Sequence, residues 1–138
     1  MRIEVTRDIA TCQHLRRVVF IEEQGVSEED EVDGLDASAI HLLAFDEGGA
    51  VGTARLLVKG AVGKIGRVCV LPSARGTGLG AALIRAALEE LRRQPGVAEA
   101  YLGSQSHATG FYEKLGFVVE GDEFIDAGIP HRHMRRAL

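Results

Sequence analysis

The sequence has no tryptophan, only two cysteines and three prolines in 138 residues, and no apolar run of the roughly 18 residues that a membrane-spanning helix needs. Cys12 and Cys69 alone make neither a disulfide framework nor a zinc-ligand spacing, so a reducing, cytoplasmic setting is expected. The opening MRIEVTRDIATC holds no apolar stretch of signal-peptide length, which disfavours secretion as well as membrane insertion. A basic surplus is also missing. The 16 Lys and Arg face 20 Asp and Glu for a net charge of −4, so the footprint of a nucleic-acid binder is absent. What is present suits one domain over residues 1–138, 46% hydrophobic and long enough to bury a core without a staple.

Charge is unevenly placed. Between Glu22 and Asp36 stand eight acids (Glu22, Glu23, Glu28, Glu29, Asp30, Glu31, Asp33 and Asp36) and no base, leaving 12 acids to face all 16 bases elsewhere. Such a run is either a solvated loop or an attractor for a cationic ligand. Around it the pattern predicts a short first strand (Met1 to Val5) and an amphipathic helix from Ile9 to Ile21, ended by Gly25 and the acids after it. Ala39 to Phe45 and Ala50 to Val58 read as an antiparallel hairpin turning at Asp46-Glu47-Gly48-Gly49. Lys64 to Leu71 reads as a buried strand stopped by Pro72, and Ala81 to Arg93, rich in Ala, Leu, Arg and Glu, as a helix. A strand from Ala98 to Leu102, a short helix near His107 to Leu115, and strands at Phe117 to Glu120 and His131 to Ala137 complete a β-α-β-β-β-α-β-α-β-β order.

The segment from Val68 to Gly80 sets a strand, a glycine turn (Arg75-Gly76-Thr77-Gly78-Leu79-Gly80) and a helix start in succession. The first turn of a helix has backbone N–H groups without partners and a positive dipole end, so this arrangement suits an anion such as a diphosphate. A turn whose glycines serve only tight geometry is the plainer alternative. The Gly-Lys-Ser/Thr of a P-loop is absent, and Gly-x-Gly-x-Gly departs from the dinucleotide fingerprint.

This loop, preceded by Val68-Cys69-Val70-Leu71-Pro72 and followed by Ala108-Thr109-Gly110-Phe111-Tyr112-Glu113-Lys114-Leu115-Gly116-Phe117, resembles the GNAT superfamily of N-acetyltransferases. Two further segments, Val19-Phe20-Ile21-Glu22-Glu23-Gln24-Gly25-Val26 and Ala127-Gly128-Ile129-Pro130-His131, resemble its bacterial ElaA-like branch. The resemblance implies the acyl-CoA N-acyltransferase fold, an α/β architecture whose mixed central sheet of about six to seven strands is flanked by about four helices. It implies acetyl-CoA as co-substrate and transfer of its acetyl group to a primary amine on a small molecule or peptide. It also implies that the strand holding Val68, Cys69 and Val70 splays from its parallel neighbour and offers the N–H groups of Val68 and Val70 to the cofactor. Arg75, Gly76, Thr77, Gly78, Leu79 and Gly80 would then hold the diphosphate. Tyr112 would be the general acid toward the leaving thiolate, and Gln105, where many relatives have Asn, a further cofactor contact.

Acetyl transfer also needs a proton acceptor for the amine. Glu22 and Glu23 end the first helix where this fold builds its acceptor site, and a helix C-terminus disfavours carboxylate charge, which makes either a stronger base. The plainer alternative makes both solvated helix-end residues, and Tyr112 an aromatic packed on Phe111 and Phe117. Asp33, His41 and His131 are further candidates on the acceptor side, with Glu22. The acids of residues 22–36 point to a cationic amine as acceptor. Cys69, inside an apolar strand, is a poor acyl carrier, which favours direct transfer in a ternary complex. His131 and His133 are too few for a metal site unless His41 or His107 joins them. A non-catalytic acyl-CoA-binding regulator is the alternative function. Homodimers are frequent among the family's members, and the resemblance makes a homodimer one of the expected states.

Overall fold

A computed structural model describes residues Met1–Leu138. Seven strands, β1 (Arg2–Thr6), β2 (Ile40–Asp46), β3 (Gly49–Lys59), β4 (Val62–Val70), β5 (Glu99–Gln105), β6 (Val118–Asp126) and β7 (Ile129–Ala137), form one mixed sheet in the order β1-β2-β3-β4-β5-β7-β6. Every pairing is antiparallel except that of β4 with β5. Four α-helices accompany the sheet: α1 (Ile9–Arg16), α2 (Glu28–Glu31), α3 (Leu79–Arg93) and α4 (Thr109–Glu113). None is long and apolar enough to cross a membrane.

The expected element order is the observed one except for an added helix, α2, and the other differences lie in where elements end. The first helix keeps α geometry only to Arg16, then widens to a π-helix over Arg17–Glu23, with Gln24 N–H donating to Val19 O, five residues back. The run Val18-Val19-Phe20-Ile21 is β-branched and aromatic, poor material for a tight α turn. The acids expected to end a helix instead form one: Ser27 caps α2 by accepting from Asp30 N–H, and four carboxylates sit at its positive end. β6 runs on to Asp126 through a bulge between Glu120 and Phe124, where Gly121 takes φ +76°. The chain reverses only at Ala127-Gly128, both at positive φ, the signature of a two-residue type I′ turn.

Helix α3 covers one face of the sheet. Leu79, Leu83, Ile84, Ala87, Leu88 and Leu91 are buried against Leu42, Ala44, Leu56, Ile65, Leu102 and Met134. Each fully buried leucine contributes about 1.5–3 kcal/mol. Gly63 sets the approach of helix to sheet, since a Cβ there would lie 2.3 Å from a Leu91 methyl. Helix α1 and the π-helix after it cover the other face over β2 to β4, burying Cys12, Leu15 and Val19 on Leu43 and Cys69.

Under the edge of α1 lies a buried ion network. Arg16 and Arg55 are 1% and 4% exposed. Asp36 accepts from Arg16 at 2.9 and 3.0 Å and from Arg55 at 3.1 Å, Asp33 accepts from Arg55 at 2.6 and 2.8 Å, and Glu31 takes Arg16 Nε at 2.5 Å. The acidic run is therefore not the free attractor its charge suggested. Five of its eight carboxylates are paired with arginines, Glu28 with Arg17 and Glu23 with Arg75 being the other two pairs. Two arginines buried on α1 and β3 require that counter-charge nearby.

Candidate active site: a cleft between parted strands

Strands β4 and β5 pair only at Val62–Glu99, Gly63–Ala100 and Lys64–Tyr101, and then part. A bulge causes the parting. Between Thr53 and Arg55 of β3, β4 runs one residue longer, from Cys69 to Gly66, and Arg67 takes φ +50°. A non-glycine residue there costs about 1–2 kcal/mol. Arg67 is held in it by its own guanidinium, which donates to Glu31 O at 3.0 Å and to Asp33 Oδ2 at 3.2 Å. Because Leu71 N–H turns toward β3 to donate to Val51 O, strand alternation turns the N–H groups of Val68 and Val70 to the open side.

At the far end of β4 the chain enters α3 through Gly76 and Gly78, at φ +77° and +83°. The first amide of the helix to find a carbonyl is Ala82, donating to Gly78 O, so the N–H groups of Gly76 to Ala81 have no partner within the protein. Thr77 Oγ donates to Ala74 O at 2.6 Å and fixes the loop. Leu79 is anchored in the core, while Gly80 has only the ring of Phe111 at ordinary contact distance. Arg75 folds back, donating from Nε to Val70 O at 3.0 Å and from both Nη atoms to Glu23 at 2.6 Å.

The parted strands open a cleft of about 360 Å³. Val68, Gln105 and Tyr112 line it, and burial pushes the Tyr112 phenol up to about 12. Its hydroxyl makes no hydrogen bond in the protein, and its ring packs edge-on to Phe111 and Phe117. Gln105 reaches across, donating to Gln24 Oε1 at 3.3 Å while His107 Nε2 lies 2.8 Å from its own Oε1. Cys69 turns away into the α1 side of the core, where burial raises its thiol to about 12, far from a usable thiolate.

On the acceptor side the structure separates the named candidates. His131 lines the cleft, while His41 is buried outside it on β2, with Nε2 donating to Asp36 O at 2.9 Å. Asp33 serves the ion network, and hydrogen bonds from Arg55 hold it at about 2. Glu22 and Glu23 do not line the cleft. The helix-end argument for Glu23 is reversed: the hydrogen bonds from Arg75 lower its pKa, making it a weaker base.

Tyr101, Gly103 and Phe124, which had no part in the sequence reading, complete the cleft. Tyr101, Gly103 and Gln105 on β5 and His131 and His133 on β7 share the sheet face opposite Leu102 and Met134. Phe124 folds over them, its ring 4.0 Å from that of His133 and in contact distance of where a Gly103 side chain would stand. Alternation marks Tyr101 and Gly103 as partners of Gln105 on one face. The β5–β7 register and the β6 bulge that bring Phe124 over them are not readable from spacing.

An opened edge on a central strand beside a helix start with free amides is the arrangement an acyl-CoA requires, and the comparisons agree. The model of the acetyltransferase (GNAT) domain matches residues 17–138. The chain belongs to the GNAT acetyltransferase family. Among curated proteins, it is 38% identical over 124 residues to the uncharacterized N-acetyltransferase YjcF of Bacillus subtilis, covering 89% of this chain and 88% of that protein. Among solved structures it is similar to an acyl-CoA N-acyltransferase from Pseudomonas aeruginosa, with a TM-score of 0.89 and 32% identity over 99% of this chain and 100% of that one. Escherichia coli ElaA is similar too, with a TM-score of 0.88 and 28% identity over 99% of each chain. An aminoglycoside 6'-N-acetyltransferase complexed with coenzyme A shares the fold, at 16% identity and a TM-score of 0.79, over 99% of this chain and 97% of that one. The protein is thus an acyltransferase enzyme of the ElaA-like kind.

Proposed function

We propose that the protein transfers an acetyl group from acetyl-CoA to a primary amine, directly, with both substrates in the cleft. The observation that carries this is the run of unpartnered amides from Gly76 to Ala81 at the start of α3, in line with the opened edge of β4. Acetyl-CoA supplies the acyl group as a thioester. The free amides and the positive end of α3 hold its diphosphate, as anions are held at helix starts generally. The N–H groups of Val68 and Val70 pair with its amide arm as a neighbouring strand would, and a donor at this edge polarises the thioester carbonyl. Tyr112, kept a neutral phenol across the physiological range by burial, donates to the departing sulfur. Direct transfer is supported by Cys69, whose thiol is buried, protonated and turned from the cleft.

Calorimetry with coenzyme A, beside thiol release from acetyl-CoA over a panel of amines, tests the reading. Tyr112→Phe is expected to lower turnover by about 10²-fold or more with coenzyme A affinity within about threefold. Absence of binding to the wild type overturns the assignment, and unchanged turnover removes Tyr112 from it. Binding with no transfer to any amine favours an acyl-CoA-sensing domain.

A further inference from the structure

The transfer proposed above needs a group that takes a proton from the acceptor's ammonium, and the cleft-lining groups differ sharply in fitness for it. Of the cleft's carboxylates, Glu31 is committed to Arg16 inside the buried network, and Asp30 and Asp126 are exposed. Tyr112 is a protonated phenol. Imidazole is the side chain that ordinarily gains and loses a proton near neutrality, and two imidazoles, His131 and His133, face the cleft.

Their surroundings set them apart. His133 is stacked between Phe124 and Tyr101, and its Nδ1 meets the Tyr101 hydroxyl, a group that can donate or accept and so fixes no tautomer. His131 Nδ1 lies 2.7 Å from the backbone oxygen of Ile129, which can only accept. Nδ1 must therefore carry the proton, and Nε2 keeps its lone pair. That Nε2 makes no hydrogen bond in the protein and is not sealed from the cleft. In the β5–β7 register His131 stands opposite Gln105, which heads the segment leading to Tyr112.

We infer that His131 Nε2 is the proton acceptor for the amine, with the Ile129 carbonyl as the group that fixes its tautomer. This rests on the transfer reading above. His131 takes one proton from the ammonium and releases it to solvent. The freed lone pair forms the C–N bond as the C–S bond breaks, Tyr112 protonates the sulfur, and the second proton lost from nitrogen restores the phenol.

His131→Asn is the informative variant, because its amide nitrogen can still donate to Ile129 O while Nε2 is gone. With acetyl-CoA and n-butylamine, whose nitrogen arrives charged, turnover is expected to fall by about 10²-fold or more. With methoxyamine, almost wholly neutral at pH near 8, it should fall by no more than about fivefold, and coenzyme A affinity should stay within about threefold. Equal deficits with the two amines, or none, overturn the inference. A measurement free of the acceptor is the ¹⁵N imidazole spectrum of the coenzyme A complex, where His131 is expected to show a protonated Nδ1 and a bare Nε2. A protonated Nε2 near pH 8 overturns the assignment, even if neither amine proves a substrate. Failure of the wild type to bind coenzyme A is a different result, one that removes the transfer reading itself.

Discussion

The two sides of the cleft are built from different materials. On the α3 side the functional groups are main-chain amides, placed by positive-φ glycines and a bulge within one continuous stretch from Gly66 to Ala81. On the acceptor side they are side chains gathered from the π-helix end, α2, β5, β6 and β7. In the proposed reading the first side recognises what every acyl-CoA shares. The second is built from the atoms that differ most freely between proteins, and in that reading it is there that the choice of amine is made.

Three substitutions sharpen that contrast. The largest effect is expected from Asp36→Ala, which leaves the guanidinium groups of Arg16 and Arg55 buried with too little counter-charge and should cost about 3–5 kcal/mol in urea unfolding. Because the network braces the acceptor wall, coenzyme A affinity of the folded variant should stay within about threefold. Acid should act on the same network. Hydrogen bonds from Arg55 hold Asp33 at about 2. Burial pushes Asp36 up, but hydrogen bonds from Arg16, Gln13 and Arg55 leave it well below the usual carboxylate range. Their stabilisation is thus full above about pH 4 and lost as pH falls through about 2, which urea midpoints over that range would show.

Next comes Gly78→Val. No atom stands within 4 Å of the new Cβ, but φ +83° is strained for a branched side chain. Relief of that strain moves the amides, and coenzyme A affinity is expected to drop about tenfold or more in calorimetry, with little change in melting temperature. The smallest effect is expected from Glu23→Gln at the junction of the two sides. It frees Arg75 from a pair that must otherwise be exchanged for diphosphate, and affinity for coenzyme A should rise by about two- to fivefold at low salt, converging with the wild type as salt is raised. A fall in affinity would mean that Glu23 holds Arg75 in place rather than competing for it.

The same division explains what could be read from the sequence. The α3 side was legible because its signals are local: a strand, three glycines and a strong helix former in one run, with Phe111-Tyr112 thirty residues on. The element order was legible from periodicity. The acceptor side was not, because it depends on pairings between distant segments. Nothing in the spacing of residues 22–36 says that Arg16, Arg55 and Arg67 will be brought to meet those acids, so charge alone leaves a solvated loop and a cation attractor both open. Nor does the Gly121-Asp122-Glu123 stretch distinguish a turn from a bulge, and only a bulge carries β6 onward so that Phe124 reaches His133. His131 was within reach of sequence reasoning. Its separation from His41 and Asp33 required the register.

Along β5 and β7 every second residue is committed to the main core through Ala100, Leu102 and Met134, while the intervening ones, Tyr101, Gly103, His131 and His133, line the cleft. The sheet thus works as a rack on which the inspected tools can be swapped while the frame stays bolted. On the proposed transfer, a lineage that inherits this chain can drift toward new amines by exchanging those odd-numbered positions, leaving untouched both the oily layer beneath and the free amides at the start of α3.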